Sequence, residues 1–289
     1  MGSLIYPEFP QAGPPTPDAD KAHRHDPDHR YGYMMFNKTS FNIPLMLFVF
    51  LWAITVSQFV IANPLPQDFR ASYTFTRNGM RVGEVKRSLR ATSDGMYIYE
   101  SVSEATGFMS LFINDKIIER STWAYVKDKP QPLQYIYIRS GGKKKRNVKL
   151  SFDWAQGIVI NTINNDPWQM PVPPDTQDKL VYQLTLMLDL RTGAKDLYYT
   201  IADGGKLKDY AFTVVGEETV DTPLGKLGAI KIQRVDDKRN TTIWCAKTLN
   251  YLPVRIEQEE KDNSRLTMLI KNVTGLPIAP ATSSVSNPH

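Results

Sequence analysis

The chain has 289 residues, is 42% hydrophobic and 22% charged, and carries a formal net charge of +5. That composition is globular and excludes collagenous, low-complexity and strongly polyelectrolyte chains. A single cysteine, Cys245, excludes an internal disulfide framework.

Residues 1–33 concentrate Pro7, Pro10, Pro14, Pro15 and Pro17 with His23, His25 and His29 among charges. Such a stretch buries too little apolar surface to offset the entropy of ordering it, which predicts a disordered tail over residues 1–42. A start codon at Met34 or Met35 would leave residues 1–33 untranslated. The run LMLFVFLWAITV at 45–56 follows Lys38 and precedes the small residues Val60 and Ala62. This pattern predicts a signal peptide over 43–62, cleaved before Asn63. The alternative is a retained membrane anchor, because from Ile43 the stretch reaches the roughly 20 residues that span a bilayer. Membrane contact is expected only through this segment, if it is uncleaved. No cysteine stands directly after it, so lipid attachment of the bacterial lipoprotein type is not expected.

Residues 63–275 are long enough for one substantial core and are expected to form a single β-rich domain. The first 62 residues hold four basic and five acidic side chains, so the remainder carries 31 against 25, a scattered balance of +6. In chain order, ASYTFTR (71–77) leads into Asn78-Gly79, a hairpin signal. A second run reaches Thr92, and MYIYESVSEA (96–105) follows. IIERSTWAYV (117–126), LQYIYIRS (133–140), RNVKLSFDW (146–154) and GIVINTI (157–163) come next, each bounded by turn residues. The rhythm breaks at the Pro-rich crossing DPWQMPVPPDTQD (166–178). Leu180, Val181, Leu184, Met187 and Leu188 then predict one helix, capped by Asp175 or Asp178 and ended by Gly193. Strands resume at 196–203, 207–220, 228–236, 241–247, 252–260 and 264–273. The last residues, 276–289, are Pro- and Ser-rich and predict a disordered tail. The expected fold is mainly β, a curved antiparallel sheet or open β-barrel with one main covering helix.

The chemistry is restricted. Histidines occur only at positions 23, 25, 29 and 289, so the β domain has none for a triad or a His-based metal site. Cys245, in TTIWCAKT, alternates with Ile243 and reads as an apolar filler. No phosphate-binding, dinucleotide or hydrolase motif is present. No cofactor and no metal site is expected. Asp153, Asp166, Asp175, Asp178 and Glu217-Glu218 leave carboxylate-only chemistry open, though each also suits a turn, a cap or a solvated face.

Two positive features remain. Aromatics recur with strand alternation: Trp123 with Tyr125, Tyr135 with Tyr137, and Phe152 with Trp154, followed by Trp168 and Met170 in the crossing. On a concave face they would line an apolar ligand site, although aromatics also simply fill β cores. Lys143, Lys144, Lys145 and Arg146 form a basic tip suited to anionic surfaces. Export makes nucleic acid an unsuitable partner.

Taken in order, YTFTRNGMRVGEVKRSL, DGMYIYESVSEATGFMSLF, VKLSFDW, TQDKLVYQLTLML, DYAFTVVGEETVDTPLGKLGAIKIQR and IWCAKTLNYLPVRIEQEE resemble DUF3108 over roughly residues 70–270. The Thr222-Pro223-x-Gly225 turn and the IW-x-A…LPV-R run stand out. The resemblance implies a Gram-negative periplasmic setting and transfers no functional residue. The leading expectation is a non-enzymatic periplasmic protein that binds a lipid, an acyl chain or another apolar envelope component. The alternative is a structural or protein-interaction module of the envelope, and third comes a carboxylate-dependent glycan hydrolase. Oligomeric state is not encoded legibly.

Overall fold

The structure is a computed structural model that describes residues 68–276 except 112–113, 142–144 and 236–237. The expected N-terminal tail and signal segment, residues 277–289 of the C-terminal tail, and Lys143 and Lys144 lie outside the described residues.

Within them the elements are β1 (Phe69–Arg77), β2 (Met80–Ala91), β3 (Tyr97–Ala105), β4 (Lys116–Val126), β5 (Lys129–Ser140), β6 (Arg146–Asp153), β7 (Ile158–Ile163) and β8 (Asp166–Pro171). A helix, α1 (Val181–Thr192), precedes β9 (Leu197–Ala202), β10 (Leu207–Thr222), β11 (Gly225–Arg234), β12 (Thr242–Ala246), β13 (Leu252–Glu259) and β14 (Arg265–Thr274). Among the described residues these 14 strands make one sheet, ordered β8 back to β1, then β14 back to β9. All ladders are antiparallel. Every ladder joins strands consecutive in the chain except β1–β14, where the first strand meets the last.

Turn chemistry explains the hairpins. Asn78 and Gly79 both adopt positive φ, 48° and 79°, as a type I′ turn requires. The first part of the expected crossing departs from expectation, because Asp166–Pro171 forms β8, paired to β7. Pro167 and Pro171 cannot donate to a ladder, and β8 lies at the sheet edge, where that deficiency is tolerated. β5 starts at Lys129 rather than Leu133, because a bulge opposite Thr122 and Trp123 lets pairing continue through Pro132 and Pro130. Further bulges put an extra residue on β14 and β2 against β1, on β10 against β11, and on β13 against β12. Each raises the local twist and bends the sheet.

The sheet curls around α1. Asp178 and Gly193 bound the helix as expected, Gly193 with φ of 76°. Val181, Gln183, Leu184, Thr185, Leu186, Met187 and Leu190 are all buried, covering every side of the helix rather than one stripe. Its partners come from distant strands. Gln183 meets Arg87 of β2, while Tyr182 packs against Tyr199 of β9 and Tyr210 and Phe212 of β10. Leu186 and Leu190 share a core with Leu197, Ile201, Ile232, Ile243 and Cys245. Cys245 is fully buried there, and burial pushes its thiol up.

The sheet ends, β8 and β9, do not pair, so the barrel stays open. The segment before α1 fills part of the gap. The Gln177 N–H donates to the Thr200 carbonyl (2.8 Å), and the Ala202 N–H donates to the Gln177 carbonyl (2.8 Å). The Gln177 side-chain amide donates to the Pro130 carbonyl of β5 at 3.1 Å. Above it the β9–β10 turn docks on the opposite edge, with the Gly205 N–H donating to Asn161 Oδ1 at 3.0 Å.

Gly205 has φ of +90°, and a methyl group there would lie 2.2 Å from Trp168 Cζ2. Gly79 also has positive φ but has nothing within 4 Å. Gly205→Ala is therefore expected to cost about 3 kcal/mol, backbone strain and overpacking together, and Gly79→Ala about 1 kcal/mol. Urea unfolding of the two variants checks the difference. Equal costs would mean that the turn does not pack on Trp168.

Candidate functional site

The inner face of the sheet is built from cross-strand rows. One row runs Ala71, Arg87, Ser101, Glu119, Tyr137, Val148 from β1 to β6. The next runs Phe69, Leu89, Tyr99, Ser121, Tyr135, Leu150, Asn161, Trp168, ending on β8. Arg87, Ser101, Glu119, Ser121 and Asn161 are thus polar groups set into an apolar face, and all are buried. Buried polar groups must be paired to be tolerated, and here the segment leading into α1 supplies partners.

Asp178 is the pivot. Its Oδ1 accepts the N–H groups of Leu180 (2.7 Å) and Val181 (2.9 Å), satisfying the open end of α1. Its Oδ2 accepts from the Ser121 hydroxyl on β4. Burial pushes the Asp178 carboxyl up to about 6, against these hydrogen bonds, and Glu119 adds to the rise. Glu119 itself accepts from the Tyr135 hydroxyl. Arg87 Nη1 donates to Gln183 Oε1 at 2.7 Å, and its guanidinium lies 5.4 Å from the Tyr73 ring centroid.

The seam continues to the β9–β10 turn. Lys179 Nζ lies 3.6 Å from Asp203 Oδ1 and 5.8 Å from the Tyr137 ring centroid. Burial lowers the Lys179 ammonium below the usual range. Burial alone would raise Asp203, but Lys179 and Lys208 hold its carboxyl below the ordinary carboxylate range. Lys208 Nζ donates to Asp203 Oδ2 at 2.8 Å. These groups charge-pair across the mouth between the sheet ends. The arrangement ties the segment before α1 to the sheet at Ser121 and to the β9–β10 hairpin at Asp203.

The other carboxylates singled out above sit in structural roles. Asp153 accepts from Gln156 within the β6–β7 turn, Asp175 pairs with Lys129, Glu217 with Lys247, and Glu218 with Lys231 and Trp244. Asp166 is exposed at the start of β8. Among the described residues no three His, Cys, Asp or Glu side chains gather as a metal site, and no helix is long and apolar enough to cross a membrane.

Seven of the eight aromatic and methionine positions fall on the inner face by register, and Trp154, in the β6–β7 turn, stacks on one of them, Phe152. They divide into two sets. Trp123, Tyr135 and Tyr137 are fully buried. Tyr125, Phe152, Trp154, Trp168 and Met170 are only half-buried. Tyr97, not singled out in the sequence, joins the second set and stacks on Trp123 with centroids 4.5 Å apart. Phe152 and Trp154 stack at 5.3 Å, and Trp154 Nε1 donates to the Pro132 carbonyl at 2.8 Å. Register puts Phe152, Val159 and Met170 side by side, and Tyr97, Trp123 and Pro132 likewise. This end of the inner face, toward the β4–β5 and β6–β7 turns, is an aromatic mouth. The Trp123 indole N–H is fully buried there and meets no acceptor among the described residues.

The basic tip divides. Lys145 is exposed, whereas Arg146 takes an inward strand position, its Nη2 within 3.3 Å of where a Gly204 side chain would begin. Arg146 therefore belongs with the interior seam. Arg87, Glu119 and Asp203 were missed in the sequence. A charged residue on an apolar alternation, as in Val85-Lys86-Arg87-Ser88-Leu89, is the signal that marks the first two.

The model of DUF3108, a protein family of unknown function, matches residues 68–271. No curated protein matches the chain. A solved β-barrel-like protein of DUF1849 from Brucella abortus is similar at 11% identity and a TM-score of 0.48, over 72% of this chain and 97% of that one. A lipoprotein candidate from Parabacteroides distasonis is similar at 12% identity and a TM-score of 0.28, over 72% and 96%.

The Asp178 carboxyl gives a pH test with a definite sign. It binds its proton more tightly in the folded chain, so between about pH 4 and pH 6 the folded state holds the extra proton. Stability from this group falls as pH rises through that window and is level above it. Denaturation of Asp178→Asn against the parent protein at pH 4 to 7 should remove a slope worth on the order of 3 kcal/mol. Parallel pH profiles would contradict the assignment.

Proposed function

The chain belongs to the DUF3108 family of proteins of unknown function, and from that premise we propose that it is a non-enzymatic protein of the cell envelope that binds an apolar or amphipathic molecule, such as an acyl chain, at its aromatic mouth. The observation that carries this is the half-buried set of Tyr97, Tyr125, Phe152, Trp154 and Met170 at one end of the inner face, beside the buried Trp123, whose indole N–H has no acceptor among the described residues. Aromatic walls favour an apolar body, and an unsatisfied buried donor favours a ligand with one acceptor. The rest of the inner face is occupied by α1, so a ligand takes the mouth rather than the middle of the sheet.

The hydrophobic run at 45–56 supports an exported, periplasmic location, with the segment cleaved or kept as an anchor. The lack of histidine between residues 63 and 275, the buried Cys245 and the structural engagement of the carboxylates support a binding role over catalysis.

Titration with a fluorescent long-chain fatty acid tests the proposal. Saturable binding is expected, and Phe152→Ala combined with Met170→Ala should weaken it about tenfold or more, since each removes a large apolar contact. Absence of saturable binding, or equal affinity in the double variant, would refute it.

A further inference from the structure

The three most exposed large apolar side chains among the described residues lie at one end of the molecule, opposite the aromatic mouth. They are Leu111 (74%), Phe108 (73%) and Met80 (66%). Phe108 and Leu111 sit on the short 3-10 turn Gly107–Leu111 that leaves β3. This turn packs against β2, whose first residue is Met80. The Gly83–Ala105 pairing sets the two connections side by side. Contiguous exposed apolar side chains of this kind mark a contact surface.

The surroundings are basic. Arg81 follows Met80 and is exposed, and Lys145 is exposed on the β5–β6 turn. That turn is fastened to the same end. Gly141 lies against Asn114, where a methyl group would come within 1.7 Å of the Asn114 carbonyl oxygen, and Arg139 pairs with Asp115. Nearby acidic groups are already engaged: Asp115 by Arg139, Glu104 by Lys86 and Lys116, and Asp262 by Arg77. The tip therefore presents exposed apolar side chains with the exposed cations Arg81 and Lys145 at the same end of the sheet.

We propose that this end, through Met80, Phe108 and Leu111 with Arg81 and Lys145, docks on the surface of an anionic phospholipid bilayer. Apolar side chains on a turn enter the acyl boundary while lysine and arginine meet the headgroups. Three side chains on a narrow tip are too few to make a stable protein interface of about 1,200 Å² or more, whereas they suit a wedge into lipid. The proposal is independent of what the aromatic mouth binds.

The test uses the full chain carrying Leu111→Cys labelled with an environment-sensitive nitrobenzoxadiazole dye. Cys245 is buried and stays unlabelled in the folded protein. A second protein carries the dye at exposed Thr219→Cys on β10. This placement separates tip insertion from membrane binding by the N-terminal hydrophobic run. With phosphatidylglycerol-containing vesicles, the dye at 111 should shift to the blue and brighten, and the dye at 219 should not. Phosphatidylcholine vesicles should give little change. Arg81→Gln and Lys145→Gln should each lower the apparent vesicle affinity about fivefold. No shift at 111, an equal shift at 219, or equal response to neutral vesicles would overturn the proposal. A shift that grows with protein concentration in the absence of vesicles would also overturn it, by assigning the tip to a second copy of the chain.

Discussion

The fold depends on a helix whose first turns are buried on every side. α1 is only 12 residues long, too short to be stable alone, and it meets solvent fully only in its last turn, at Arg191 and Thr192. Its first turn would leave N–H groups unsatisfied inside the protein if Asp178 did not accept two of them. The same carboxyl reaches Ser121 on β4, so one side chain closes the helix start and ties it to the sheet. The sheet then has to curl, because Arg87 on β2 and Tyr199 on β9 both meet the same helix from strands far apart in the sheet order.

This constraint sorts the molecule's surfaces. The middle of the inner face is a packed and charge-paired interior, where Arg87, Glu119, Lys179 and Asp203 are held by specific partners. Buried charges of that kind add little net stability over an apolar core, but removing one partner strands the other at large cost. Their effect is to fix where α1 sits. The two ends of the curved sheet differ from this interior. One end carries half-buried aromatics beside Trp123. The other carries Phe108, Leu111 and Met80 beside exposed basic residues.

Period-two alternation made much of this visible in the chain. Because side chains on a strand repeat every second residue, Trp123 with Tyr125, Tyr135 with Tyr137, and Phe152 with Trp154 were bound to share faces. Ladder register then puts Trp123, Tyr125, Tyr135, Tyr137 and Phe152 on the inner face, while Trp154 falls in the β6–β7 turn and stacks on Phe152. Asn78-Gly79 forms the expected hairpin, and Asp178 and Gly193 bound the helix for the local reasons that predict them. β8 was hidden because Pro167 and Pro171 argue against a central strand and say nothing against an edge. The polar seam was hidden for a different reason. Lys179 and Asp203 are separated by α1 and β9, and only the docking of the β9–β10 turn near Trp168 makes them partners. The division of the aromatics into buried and half-buried sets is likewise unreadable locally, since it depends on which rows α1 covers.

On this reading α1 is a permanent part of the interior rather than a lid over a larger cavity. Native-state hydrogen exchange tests this most directly, comparing amides of Leu184–Leu190 with those of β2 and β4 as denaturant is added. The α1 amides are expected to exchange only through global unfolding, with the same free energy and denaturant dependence as the inner strands. Exchange of α1 through a separate opening of lower free energy, while β2 and β4 stay protected, would contradict it.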